Sequence, residues 1–187
     1  MQPKRNLLVW IDLEMTGLDP KTCTVLEIGA VVTDGFLNVV AEGPYLAIHH
    51  SRKVLEGMEP WSRFHHRKSG LTGACRRSKV SLRGAERQVL DFLKRHCTEK
   101  TAPLCGNTIG QDRRFLVKYM PKLEAFLHYR SIDVSSVKEL VRRWYSPSLR
   151  VPRRKERSHR VRADIFESIA ELTYYRDTVF IPPSAAR

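Results

Sequence analysis

Long apolar runs are missing from this chain. Nothing in its 187 residues approaches the stretch of about 20 that crosses a bilayer, so a membrane-spanning protein is excluded. The N-terminus, Met1-Gln2-Pro3-Lys4-Arg5, leads straight into a strand-like segment. That leaves no room for a signal or transit peptide, and a cytoplasmic protein is expected. Cysteine is scarce: Cys23, Cys75, Cys97 and Cys105 show no C-x-x-C spacing and no paired histidines. They read as free thiols in a reducing compartment. There is no internal repeat and no low-complexity linker, so residues 1–187 are expected to form a single domain, large enough to bury a proper core.

Acidic residues are also in short supply, 20 against 33 Lys and Arg, which leaves a net charge of +13 and a pI near 10. Such a surplus favours a polyanionic partner, nucleic acid first. It is unevenly placed. Between residues 150 and 162, Arg150, Arg153, Arg154, Lys155, Arg157, Arg160 and Arg162 are offset by Glu156 alone. A solvated loop and a phosphate-facing segment are both open readings of this run. Segment 145–158 is expected to be a basic loop, and a short tail follows from about residue 181.

What is present is the hydrophobic content of a globular domain, 42%, in short patterned segments. Residues 7–15 (LLVWIDLEM), 25–34 and 37–49 read as three strands, the last two joined at Asp34-Gly35. Residues 51–70 suggest short helices. Residues 81–97 carry Leu82, Ala85, Val89, Phe92 and Leu93 at helical spacing. A short buried strand at 103–107, a helix at 111–120 stopped by Pro121, and a strand at 129–134 follow. Helices at 135–144 and 160–177 complete an α/β chain, a mixed five-stranded sheet flanked by helices.

The few acids are placed tellingly. Asp12 and Glu14 sit two apart on the first strand and project to one face. An Asp-x-Glu pair often means no more than a loop cap and a solvated side chain, but here both flanks are apolar. Side-by-side carboxylates on a buried strand repel, and a divalent cation compensates best. Asp112 and Asp164 each fall near a helix start, where an acid commonly serves as a plain cap. His159 precedes Asp164 by five residues, which within one helix is a turn of about 140°. The two side chains can converge only if His159 lies on the loop before the helix.

Together these pieces resemble the oligoribonucleases, members of the 3′→5′ exonucleases named for four acids and a histidine. The resemblance rests on residues 10–19 (WIDLEMTGLD), 106–115 (GNTIGQDRRF) and 128–140 (HYRSIDVSSVKEL), with Ser69-Gly70-Leu71 and Asp164-Ile165-Phe166-Glu167-Ser168. It implies an RNase H-like exonuclease fold and a homodimer. Asp12, Glu14, Asp112 and Asp164 would hold two Mg²⁺ or Mn²⁺ ions about 3.5–4 Å apart, and His159 would be the general base. The implied substrate is short RNA, dinucleotides above all, cut to nucleoside 5′-monophosphates. Thr108, Arg130 and Ser135, with His66, would cap its 5′ phosphate. Leu18 would wedge between the bases, and Trp61 and the partner subunit's Tyr129 would shape the pocket. Without the resemblance, Leu18, Trp61 and Tyr129 would be assigned to the core or a dimer seam.

The chain departs from the family pattern at Thr108, where Ser is usual, at Arg162, usually apolar, and at Ala163, often Asp. Arg162 would compete with a cation or grip phosphate. Two alternatives to the short-RNA enzyme follow from the charge. One is an exonuclease trimming longer RNA or single-stranded DNA along the basic run. The other is a catalytically weakened nucleic-acid-binding dimer.

Overall fold

The computed structural model describes residues 6–149 and 160–180. The expectations for His159, for residues 150–158 of the basic loop and for the tail from 181 lie outside them. Five strands, β1 (Leu8–Met15), β2 (Val25–Thr33), β3 (Val39–Ala47), β4 (Pro103–Gly106) and β5 (His128–Asp133), form one sheet of order β3-β2-β1-β4-β5. The β1–β2 and β2–β3 pairs are antiparallel, and β1–β4 and β4–β5 are parallel. The mixed sheet expected from sequence is therefore observed, with β1 at its centre.

Strand parity sorts β1 into two faces. Val9, Ile11 and Leu13 join the core under α4 (Leu82–His96) and α5 (Ile109–Tyr119), with Ala85, Val89, Phe92, Leu93, Phe115 and Leu116. Trp10 faces the other way, into a core with Val134 and Val141 of α7 (Val134–Trp144) and Ile165, Ile169 and Tyr175 of α8 (Val161–Thr178). Its indole Nε1 donates to Thr33 Oγ1 at 3.0 Å, which satisfies the one polar atom that this burial would strand. Asp12 and Glu14 continue the Trp10 row towards the strand end, under the first turns of α8.

Gly29 of β2 permits that helix to approach. A Cβ there would lie 2.8 Å from Val161 Cγ2 and 3.1 Å from Ile165 Cδ1. Around three short helices, α1 (Arg52–Glu56), α2 (Pro60–Lys68) and α3 (Leu71–Arg77), Leu55 of α1, Met58 from the turn before α2, and Leu71 and Cys75 of α3 are buried against Leu26. All four cysteines are buried free thiols, as expected. No helix among the described residues is long and apolar enough to cross a membrane.

Pro121 ends α5 as expected, but it also begins a helix that sequence reading passed over, α6 (Pro121–Phe126). Proline at the first helical position lacks only a donor that would be unpaired anyway. The next donors are met from α4: the Glu86 carboxylate, 9% exposed, accepts from the Lys122 amide at 2.7 Å and the Leu123 amide at 3.3 Å. A cap supplied from 36 residues away leaves no local signal. Glu86→Ala should strand both amides and lower the unfolding free energy by about 1–2 kcal/mol. Urea denaturation of the two proteins would check this, and equal midpoints would refute the cap.

Candidate active site

The acids meet at the β1 end as strand parity requires. One oxygen from each of Asp12, Glu14 and Asp164 lies within 4.8 Å of the other two. Asp164 reaches them from the first turn of α8. Asp112, in the first turn of α5, is buried beside them, and its Oδ1 accepts from the Leu13 amide of β1 at 2.9 Å. That bond locks α5 to the strand between the two β1 acids, so Asp112 is more than a helix cap.

Burial dominates the electrostatics of Asp12, Glu14 and Asp112, with repulsion from neighbouring acids added to it. Burial, then Asp112, Glu14 and Asp164, holds the Asp12 carboxyl well above the ordinary range. Burial, then Asp164, Glu27 and Asp112, pushes Glu14 up to about 8. Burial raises Asp112 to about 7, against the pull of its Leu13 hydrogen bond. Hard oxygen donors converging this way suit Mg²⁺ or Mn²⁺.

The other predicted residues separate into groups. Thr108 and Ser135 meet: the Thr108 amide lies 2.9 Å from both Asp133 Oδ1 and Ser135 Oγ, and the two hydroxyls are 3.0 Å apart. Thr108 is held at φ 53°, a conformation that a β-branched residue rarely adopts, with Asp133 as the anchor. Asp12, Asp164, Thr108 and Ser135 all line one cavity of about 350 Å³, shared with Asn107, Lys138 and Glu167.

Leu18 projects into solvent, 67% exposed, from a turn tied to α5: Gln111 Nε2 and Lys118 Nζ donate to the Leu18 and Pro20 carbonyls, each at 2.5 Å. Trp61 is 60% exposed on α2, its ring 4.1 Å from that of His65. Tyr129 is 74% exposed on the edge strand β5, with the Arg130 guanidinium 5.4 Å from its ring. These exposures correct the assignment of Leu18, Trp61 and Tyr129 to the core of the subunit.

His66 stands elsewhere. It is buried, Nε2 donates to the Met15 carbonyl at 2.9 Å, and Nδ1 faces Glu14 Oε2 at 3.7 Å without a hydrogen bond. Burial lowers its pKa and keeps the ring neutral. It makes no hydrogen bond to Thr108 or Ser135; its neighbour is a β1 acid.

Arg162 turns away from the acids. Its Nε and Nη2 meet Glu42 of β3 at 3.3 and 3.4 Å, and its guanidinium lies 5.1 Å from the Phe166 ring. A residue expected to compete with a cation or grip phosphate is instead an outer strap between α8 and β3.

Asn107 and Asp133 lie inside the motifs at 106–115 and 128–140, and the sequence pattern alone assigns neither a role. Asn107 Nδ2 donates to Ser168 Oγ at 3.0 Å and Glu171 Oε2 at 3.2 Å, and Ser135 donates to Asn107 Oδ1 at 3.0 Å. Lys138, 2.9 Å from Glu171, completes this chain along the cavity. The signal was present in the motif positions, but the partners lie up to 64 residues away.

Because the site carboxyls are pushed up in the metal-free protein, the native state retains protons that the unfolded chain has released. For Glu14 that interval runs from the ordinary 4.5 to about 8. Stability gained from these protons is full below it and falls as pH rises through it. The melting temperature of metal-free protein should therefore drop between about pH 5 and pH 8, and Glu14→Gln should flatten the drop. Added Mn²⁺ should raise the melting temperature most at the alkaline end, where it meets ionised acids. A melting temperature that rises with pH in metal-free protein would contradict this electrostatic picture.

The comparisons with known proteins agree with this geometry. The exonuclease family RNase_T matches residues 9–172. The oligoribonuclease of Alcanivorax borkumensis is 52% identical over 177 residues, 95% of this chain and 97% of that protein. The oligoribonuclease of Marinobacter nauticus is 54% identical over 173 residues, 92% and 96% of the two chains. Among solved structures, apo exonuclease I superposes with a TM-score of 0.70 at 14% identity, over 94% of this chain and 43% of that one. Escherichia coli exonuclease I in complex with a dT13 oligonucleotide gives 0.71 at 14% identity, over 93% and 42%. The chain thus spans less than half of the exonuclease I polypeptide, and that likeness concerns the fold. With four acids at the end of its central strand and half of its residues shared with whole-length relatives, the chain belongs to the oligoribonucleases of the exonuclease family.

Proposed function

We propose that the protein is a metal-dependent 3′→5′ exoribonuclease acting on short RNA, dinucleotides above all, and releasing nucleoside 5′-monophosphates. The observation that carries this reading is the convergence of the Asp12, Glu14 and Asp164 oxygens within 4.8 Å, in a setting that holds the Asp12 and Glu14 carboxyls above their ordinary range. Asp12, Glu14, Asp164 and the adjoining Asp112 would hold two Mg²⁺ or Mn²⁺ ions. The chemistry such a pair would supply when bound is activation of the attacking water and stabilisation of the leaving oxygen of an in-line displacement. His159 is proposed to take the water's proton, a task suited to a near-neutral imidazole.

The cavity supports a short substrate. Its volume, about 350 Å³, is at the small end for ligand sites, and the metal acids share it with the Thr108 and Ser135 hydroxyls. A 5′ phosphate held by those hydroxyls and by the fork of Arg130 would leave little room between cap and cleavage site. Leu18, on its pinned turn, is free to enter between bases, and Trp61, exposed on α2, would help shape the pocket. Tyr129 has no core of its own to fill on the edge strand, which supports a homodimer in which it completes the neighbouring pocket. His66 is proposed to support this pocket from the Glu14 side. We place the enzyme in the cytoplasm, where its four buried thiols would stay reduced.

With Arg162 paired to Glu42, the weakened-dimer alternative rests on the charge surplus alone. The longer-strand alternative is separated from ours by substrate length. Purified protein with Mn²⁺ should clear a 5′-labelled dinucleotide rapidly, a five-mer more slowly and a twenty-mer slowest, and Asp12→Ala should abolish all three. Efficient trimming of the twenty-mer with steep salt dependence would transfer the reading to long strands. Activity retained by Asp12→Ala would remove the metal site from the mechanism.

A further inference from the structure

The β1–β2 register sets Glu27 directly opposite Glu14. Like charges opposed across an antiparallel pair destabilise it, and this pair lies at the buried end of the sheet. The two acids are resolved differently. Glu14 is left to the cluster, whereas Glu27, 1% exposed, takes a cation from the chain itself. Arg160 Nε lies 3.0 Å from each Glu27 oxygen, and its Nη2 lies 2.6 Å from Oε1.

The same carboxylate caps a helix. Arg160 is the N-cap residue of α8, a position that normally calls for a short oxygen-bearing side chain, and its own side chain makes no cap bond. Glu27 supplies the missing acceptor, with Oε2 3.4 Å from the Val161 amide. Its negative charge also sits well at a helix N-terminus. One step further, the Arg160 carbonyl accepts the amide of Asp164 at 3.2 Å. Arg160 is thus held at both ends, its side chain on β2 and its carbonyl on a metal acid, and it directly follows His159 in the chain.

We propose that the Glu27–Arg160 pair is a positioning device for the reaction: it latches the start of α8 so that Asp164 meets Asp12 and Glu14, and it cancels the charge of an acid directly opposite Glu14 that would otherwise draw a cation off-site. The proposal rests on reading the acid cluster as a metal site. Arg160 acts through Asp164 and is a positioning residue. Gly29, two residues along β2, provides the seat for Val161 and Ile165 into which the latch draws the helix.

Charge and geometry make opposite forecasts, which gives the test its sign. By charge alone, removing a guanidinium near an acidic cluster should tighten cation binding; by latching, it should loosen it. Mn²⁺ affinity of the full chain would be measured by calorimetry, together with amide exchange in the first turn of α8 and kcat and KM on a 5′-phosphorylated diribonucleotide. Arg160→Gln is expected to weaken Mn²⁺ binding about 10–100-fold, as losses of partners behind metal ligands do, to speed first-turn exchange, and to lower kcat more than it raises KM.

Arg160→Lys keeps the charge but loses the planar fork, and should show the same weakening in smaller degree. Glu27→Gln with Arg160→Gln restores the local charge balance and should remain weak. Wild-type affinity in Arg160→Lys or in the double variant, or tighter binding in Arg160→Gln, would overturn the latch. If Arg160→Gln fails to fold, Arg160→Lys decides alone. A wild-type protein that binds no Mn²⁺ would instead overturn the metal reading and the latch with it, an outcome distinct from equal binding by wild type and variants.

Discussion

Negative charge packed beyond what burial tolerates, at one end of the central strand, is the constraint around which the rest of this molecule is arranged. Asp12 and Glu14 share a face because a strand repeats every two residues, and the apolar side of β1 is already committed to α4 and α5. Two more acids then come from helix starts, Asp112 through its bond to the Leu13 amide and Asp164 by the entry of α8. Each helix end contributes favourable dipole to its own acid but too little to offset four carboxyls in one place. A basic chain of net charge +13 concentrates an acidic defect at this point.

Polar order around the defect is built from distant parts. Asp133, at the end of β5, holds Thr108 in its left-handed conformation and also accepts from the Ser135 amide, so one carboxylate shapes both hydroxyl-bearing residues of the cavity. Gln111 and Lys118 of α5 fix the turn that presents Leu18. The helix that brings Asp112 inward therefore also sets the rim. Arg113 works on the outer side of the same helix, donating to the His128 and Tyr129 carbonyls of the edge strand at 2.8 and 2.9 Å. Backbone acceptors of β5 that no neighbouring strand pairs are satisfied there by a side chain, which leaves Tyr129 and Arg130 projecting from a braced edge.

Much of this was legible in the chain. Alternation gave β1 its two faces, the periodicity of residues 82–93 gave α4 its buried stripe, and family motifs named the four acids that the fold then gathered. Other parts were illegible for a common reason. Helix α6 is capped by Glu86 from another helix, so Pro121 looked only like a stop. Arg162 looked like a neighbour of the acids because it is two residues from Asp164, yet on a helix such a step rotates the side chain to another face, here towards Glu42. His66 was grouped with the phosphate cap, but its ring lies against Glu14 and Met15.

Periodic patterns and short motifs act over a few residues, and there the amino-acid sequence by itself determined the outcome: which segments are strands or helices, which face of β1 carries acid, and which residues can bind a hard cation. Pairings between segments depend on sheet order and on how closely helices approach, which no local pattern encodes. Tertiary structure alone decided that Glu27 faces Glu14, that Arg160 rather than Arg162 answers it, and that Thr108, Ser135, Asp12 and Asp164 line one cavity. Those pairings join positions from 13 residues apart (Glu14 and Glu27) to 152 apart (Asp12 and Asp164), where only the packed fold brings charge to charge.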